Sequence, residues 1–254
     1  MVSRLTSLPV YQLGQILANW PTKYKEQGMH RIIQRAKKEK RSLLETEAKE
    51  VLREYKIPVP DFKLIKSDDE IAGLAKEINF PIVMKIVSPD IIHKTDAGGV
   101  KLNIKDEKEA KLAYQGIISQ AKKYNNEARI SGAIVYTMVP QGTEIIMGMM
   151  KDPHFGPVIM FGLGGIFVEV LKDISFRILP IEERDAREMI TEIKGYEILK
   201  GARGEALKDI EAIKILLMKI SQLSMGNPEI KEIDLNPVFV FDKGLQVVDA
   251  RIIL

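Results

Sequence analysis

Lys85, His93 and the adjacent glycines Gly98 and Gly99 lie within fifteen residues of chain. They belong to the stretch Pro81 to Ile104, PIVMKIVSPDIIHKTDAGGVKLNI, which reads as a strand, a polar loop and a second strand. Ile82, Met84 and Ile86 alternate with Val83, Lys85 and Val87. Lys85 therefore stands inside an apolar run, where an ammonium is costly to bury unless an anion meets it. The loop carries His93, Lys94, Thr95 and Asp96 ahead of the two glycines, and adjacent glycines let backbone N–H groups turn toward a ligand. Each part alone has a plainer reading: a lysine guarding a sheet edge, a solvated histidine, a hairpin turn. An ammonium, an imidazole and a glycine pair grouped this closely suit phosphoryl chemistry.

A second group sits near the C-terminus. In KEIDLNPVFV, Ile233 and Leu235 point one way while Glu232, Asp234 and Asn236 point the other. In GLQVVDARII, Asp249 and Arg251 share a face with Val247. Asp242-Lys243-Gly244 joins the two strands. A two-residue turn at Lys243-Gly244 pairs Asp242 with Leu245 and sets Asn236 opposite Arg251, on the face of Asp249. A three-residue loop without a bulge separates Asn236 from Asp249. One carboxylate and one amide oxygen, completed by nucleotide phosphates and water, suit Mg²⁺; the plainer reading is a solvated strand face.

The elements that must position these residues follow from periodicity. Residues 1–28, broken by Pro9, Pro21 and Gly28, read as an N-terminal extension. RIIQRAKKEK is a short basic helix. Ser42 and Glu45 have capping-box spacing, and Ala48, Val51, Leu52 and Tyr55 mark the inner face of the helix that follows. Pro58 and Pro60 end it. A strand is expected at Asp61 to Ile65, a helix from Ser67 to about Asn79, and a helix over Asp106 to Tyr124. Strands are expected at Gly132 to Val139, at Glu144 to Met150 and around PVIMF. IFVEVLKDISFRIL alternates over Phe167 to Phe176 and reads as a strand, with Glu169 and Asp173 as candidates for metal, phosphate or partner contacts. Pro180 to Ser224 is helical, broken by Gly195, Gly201 and Gly204.

Composition narrows the function classes. A chain of 254 residues, 45% hydrophobic and 29% charged, can bury a full core. A net charge of +3 and 6% aromatic residues argue against a nucleic-acid surface. No cysteine is present, which excludes disulfides and thiolate chemistry. No apolar run is long enough for a membrane span, and no signal-peptide pattern opens the chain. A cytoplasmic protein is the expectation.

From about Ser42 to Leu254 the chain closely resembles the nucleotide-binding β subunit of ADP-forming acyl-CoA synthetases (acetate–CoA ligase, ADP-forming), members of the ATP-grasp superfamily related to succinyl-CoA synthetases. The resemblance is carried by MKIVSPDIIHKTDAGGVKLN, by MVPQGTEIIMGMMKDPHFGPVIMFGLGGIFVEVLKDISFR, and by EIDLNPVFV with VVDARI, in that order. It implies an α/β (α+β) ATP-grasp fold over residues 29–254, with a smaller lobe at about 55–135 and a larger one at about 136–254. It implies ATP/ADP and Mg²⁺ as cofactors. Lys85 and the Gly98-Gly99 loop would hold the phosphates, with Arg177 as a further phosphate contact. The backbone of Met138 and Val139 would meet adenine, and Glu144 the ribose hydroxyls. Asn236 and Asp249 would bind the metal, with Glu232 and Asp234 as runners-up. His93 matches the histidine that relays a phosphoryl group to ADP; His30, in a basic helix, and His154, in a turn, fit less well. A separate CoA-binding α subunit in a heterotetramer would complete the reaction. Two rivals are an ATP-grasp carboxylate–amine ligase and a non-catalytic, nucleotide-regulated partner-binding module. Neither accounts for HKTDAGGV.

Overall fold

Two antiparallel sheets organise the computed structural model, which describes residues 30–204 and 206–254. The expected extension at residues 1–28 lies outside the described residues.

Helix α1 (Arg31–Lys38) begins where the His30 ring nitrogen accepts the Ile32 N–H, and it buries Ile33 and Ala36. Helix α2 (Glu45–Glu54) starts later than the Ser42–Glu45 spacing suggests. Leu44 precedes it, and the Glu47 carboxylate accepts the Leu44 N–H at 2.9 Å. Glu47 thus fills the returning half of a capping box, and Glu45 is free to turn inward.

The smaller sheet holds β1 (Phe62–Ile65), β2 (Ile82–Val87), β3 (Val100–Ile104) and β4 (Gly132–Thr137) in the order β1-β4-β2-β3. Helix α3 (Glu107–Tyr124) is capped by Asp106, which accepts the Glu109 N–H. It packs Ala110, Tyr114 and Ile117 against Ile82, Met84 and Val135. The helix expected between Ser67 and Asn79 is instead two short 3₁₀ turns, Asp68–Ile71 and Leu74–Lys76. Gly73 between them is left-handed (φ +86), which interrupts helical hydrogen bonding, yet Ile71, Leu74 and Ile78 still reach the core.

The larger sheet holds β5 (Thr143–Asp152), β6 (Gly156–Leu163), β7 (Ile174–Ile178), β8 (Glu232–Val240), β9 (Leu245–Val247) and β10 (Ala250–Ile253). Its order is β10-β8-β5-β6-β7, with β9 beside β8. One face, including Met147, Met149, Ile159, Phe161, Ile233 and Leu235, packs on α5 (Glu183–Glu192) and α7 (Ile210–Gly226). α1 and α2 join this same core through Ile33, Ala48, Val51 and Leu52.

The expected strand at Phe167 to Phe176 is replaced by helix α4 (Ile166–Leu171) followed by β7. A short apolar run does not distinguish the two periods. Here a left-handed Lys172 (φ +48) ends the helix before the strand begins. Asp173 is buried and accepts the Lys194 and Gly195 N–H groups at 2.8 and 2.6 Å, so it anchors backbone and does not face a metal, phosphate or partner. The Glu169 side chain lies outside the described ones. A short helix α6 (Tyr196–Leu199) completes the α5–α7 connection. Among the described residues no helix is long and apolar enough to cross a membrane.

Candidate active site at the seam between the sheets

The two sheets meet where Val83, Val87, Ile134 and Tyr136 of β2 and β4 pack against Val248, with Phe239 and Phe241 beside them. Lys85 shares this face of β2, so its side chain points into the seam.

There the Lys85 ammonium donates to Asp249 Oδ2 at 2.7 Å and lies 3.7 Å from Glu45 Oε1. Lys94, from the loop after β2, lies 2.5 Å from Glu45 Oε2 and 3.8 Å from Asp249 Oδ1. Lys49, fully buried on α2, lies 2.9 Å from Glu45 Oε1 and 4.1 Å from the centre of the Tyr136 ring. Three ammoniums thus face two carboxylates. Burial pushes Glu45 up, but Lys49, Lys85 and Lys94 outweigh it and hold the carboxyl far below its usual range. Burial pulls Lys85 down, but Glu45 and Asp249 outweigh that and raise it. For Lys49 burial prevails over Glu45, and its value is lowered. Burial also raises the Tyr136 phenol.

The C-terminal hairpin takes a different register from the one expected. Val240 pairs with Leu245 and Val238 with Val247, leaving Phe241 to Gly244 as a four-residue loop closed by Phe241 N–H to Gly244 O. Across β10, Leu235 faces Ala250 and Asp234 faces Arg251. Arg251 therefore opposes Asp234, not Asn236. Continuing that register sets Asn236 directly across from Asp249. The longer loop shifts the pairing by two residues, which preserves the face. Asp234 is raised chiefly by burial, with Arg251 opposing. Glu232 is held by Arg251 at 2.5 Å.

Among the described residues no three acidic or imidazole side chains gather closely enough to hold a cation alone. Asn236 and Asp249 offer an amide and a carboxylate. Mg²⁺ commonly takes one or two carboxylates and completes its octahedron with phosphates and water. The donor set fits that ion when phosphates are present.

The glycine loop does not present its amides outward. Gly98 N–H donates to Thr95 O at 3.0 Å and Gly99 N–H to Lys94 O at 2.8 Å, while Gly99 O accepts the Ile86 N–H at 2.7 Å. A Cβ on Gly99 would stand 2.5 Å from Ile86 Cγ2. The glycines let the loop fold tightly on β2, and that fold sends Lys94 inward. His93, one residue earlier, is exposed. His30 and His154 are elsewhere: His30 pairs with Glu54, and the His154 N–H donates to Asp152.

At the β4–β5 connection, Met138 N–H donates to Pro81 O at 2.8 Å, and Val139 is buried in the seam. Glu144 is exposed on β5; its carbonyl accepts the Gly164 N–H, and a Cβ on Gly164 would come within 2.9 Å of Glu144 Cβ. Arg177 is held by Glu192 at 2.9 Å and Glu188 at 3.5 Å, both on α5, rather than by the residues around Lys85.

Glu45, Lys49, Lys94 and Tyr136 escaped the reading of the sequence as site residues. One signal was there: Glu45, Ala48, Lys49 and Leu52 fall at i, i+3, i+4 and i+7, one face of a helix. Two opposite charges on an otherwise apolar face mark a buried pair.

The ATP-grasp domain family matches residues 34–254. The chain is 54% identical over 223 residues to the β subunit of acetate–CoA ligase (ADP-forming) I of Pyrococcus furiosus, covering 88% of this chain and 96% of that one. A longer relative, the ADP-forming 4-hydroxybutyrate–CoA ligase of Nitrosopumilus maritimus, is 47% identical over 87% of this chain and 32% of its own length. Among solved structures, acetyl-coenzyme A synthetase 1 of Ca. Korarchaeum cryptofilum with coenzyme A and Ca-AMPCP superposes with a TM-score of 0.84 at 48% identity, covering 87% of this chain and 97% of that one. The same enzyme with Mg-AMPPCP, its phosphohistidine segment pointing towards the nucleotide-binding site, superposes at 0.76 with 46% identity over 88% and 98%. The chain therefore belongs to the ATP-grasp family and, within it, to the β subunits of ADP-forming acetate–CoA ligases.

Proposed function

We propose that this subunit moves a phosphoryl group between ATP/ADP and a histidine relay, interconverting acyl-CoA, ADP and phosphate with organic acid, CoA and ATP. The observation that carries the reading is the convergence of Lys85 and Lys94 on Asp249, with three ammoniums against two carboxylates. The excess positive charge suits terminal phosphates.

Lys85 and Lys94 exchange Asp249 for phosphate oxygens when nucleotide enters, and so hold the phosphates in line with their acceptor. Asp249 and Asn236 would hold Mg²⁺, which would neutralise charge on the phosphate chain. His93 offers a ring nitrogen as the nucleophile. That nitrogen bonds to phosphorus as the bond to the ADP oxygen breaks, and the reverse step returns the group to ADP. The Met138–Val139 backbone meets adenine through groups other than the engaged Met138 N–H, and Glu144 takes the ribose hydroxyls. Arg177 is left out, because α5 carboxylates occupy it. Residues 55–135 and 136–254 act as the two lobes, with α1 and α2 belonging to the larger one.

A separate CoA-binding α subunit, in a heterotetramer, completes the reaction. Two observations support a partner: some relatives carry this domain within a chain about three times longer, and Met150 and Phe176 are exposed on the sheet face that also bears Asp234. ATP, ADP and CoA place the work in the cytoplasm.

The test is to incubate the assembled enzyme with ATP and Mg²⁺ and look for acid-labile phosphate on His93, which the relay requires. The exposure of His93 favours a second reading, in which the partner's phosphohistidine segment meets the nucleotide directly. Under that reading His93→Asn keeps its activity.

A further inference from the structure

We infer that Glu45, on α2, is the fixed positioning residue for Lys85 and Lys94, and that Lys49 orients it from behind. This rests on the reading that those two lysines meet the terminal phosphates.

The two carboxylates of the cluster are not equivalent. The Asp249 side chain is 30% exposed, and that of Glu45 is 1% exposed. Asp249 lies on the open side and has to release the ammoniums if it is to take a metal ion. Glu45 is enclosed, and each of its oxygens already has a role: Oε2 meets Lys94 at 2.5 Å, and Oε1 lies between Lys49 at 2.9 Å and Lys85 at 3.7 Å. Lys49 is fully buried, its ammonium against the Tyr136 ring and 6.0 Å from that of Phe62, so no nucleotide touches it. Its chemistry is spent on Glu45. When phosphates replace Asp249, Glu45 is the anion that still holds both working lysines at a set separation. Without it, Asp249 is the one carboxylate left for both of them.

The arrangement also explains why α2, which precedes both lobes in the chain, packs on the larger sheet. It carries the counter-ion of lysines that belong to the smaller sheet, and so it fixes the lysines relative to Asp249 of the hairpin.

The experiment is a double-mutant cycle in the assembled enzyme, using Glu45→Gln, Lys94→Met and the pair, with acyl-CoA and ADP as substrates. Because a displacement of about 1 Å can cost about 100-fold, Glu45→Gln is expected to lower kcat by that order while the ADP KM moves by less than about threefold. In the Lys94→Met background the further loss is expected to shrink to about tenfold or less, since contacting groups couple. Calorimetry on each variant is expected to show one ADP bound per β chain, which separates mispositioning from misfolding. Lys49→Met is expected to reproduce part of the Glu45→Gln loss. Equal losses from Glu45→Gln in both backgrounds, or a fall in ADP stoichiometry matching the fall in kcat, would overturn the inference. Unchanged turnover and ADP binding in Lys94→Met and Lys85→Met would instead sink the underlying phosphate reading.

Discussion

The ion pairs around Lys85 and those around Arg177 use the same functional groups under opposite conditions. Arg177 bridges Glu188 and Glu192, carboxylates about half exposed on the outside of α5. Water competes for every contact there, and such pairs are worth about 0–1 kcal/mol. Lys85 lies in the seam between two sheets, with Glu45 enclosed beside it and Asp249 partly open. Removing one member strands the others, at a cost of about 3–5 kcal/mol for a buried pair. A charge cluster becomes a working site where burial makes each charge depend on the rest and one side stays open to a ligand. Arg177 lacks the first condition, since the carboxylates that hold it are about half exposed.

Lys85→Met tests this contrast most severely. It is expected to lower kcat/KM by at least about 10²–10³-fold, the scale for losing one preorganised charge contact, measured as ADP-dependent turnover of the assembled enzyme. A loss below tenfold would place Lys85 with Arg177. Glu45→Ala is next. It leaves Lys49 and Lys94 without their shared anion and is expected to cost about 3–5 kcal/mol in denaturant unfolding. Gly99→Ala is expected to cost about 1–3 kcal/mol, because the added Cβ must displace Ile86. Activity should fall with it, since the same loop aims Lys94. Arg177→Ala is expected to change stability by less than about 1 kcal/mol and turnover by little.

Acid sharpens the comparison in another way. The folded-state value of Glu45 lies far below its ordinary 4.5, so the folded chain binds fewer protons than the unfolded one as pH drops past that value. The stability it contributes is present above about pH 4.5 and is lost as pH falls below it. Wild-type stability should therefore fall more steeply below pH 4.5 than that of Glu45→Gln, in parallel urea titrations. Equal slopes would show that folding does not depress the Glu45 carboxyl.

Much of this was open to a reader of the sequence, and the misses have physical causes. The strand carrying Lys85 was legible as a short apolar run bounded by Pro81 and a polar loop, and β8 as Ile233 and Leu235 alternating with Glu232, Asp234 and Asn236, whereas the single strand expected after it is two, β9 and β10. The α4–β7 segment was not legible, since six apolar-rich residues satisfy either period and the choice was made by a left-handed Lys172. Asp173 looked free because no local pattern shows that the chain after α5 returns to it.

The sequence by itself determined which residues could carry the chemistry: a lysine inside an apolar strand, a histidine and glycines in one loop, an amide and a carboxylate on alternating strands. Side-chain type and period are local properties, and they survive in a linear reading. Only the tertiary structure decided that the glycine amides close on their own loop, that Lys94 and not His93 turns inward, and that Glu45 lies under the site. Those outcomes depend on which surfaces pack together. That choice belongs to the whole chain, since the enclosed Glu45 carboxylate is met by Lys49 of its own helix, Lys85 of β2 and Lys94 of the loop after β2.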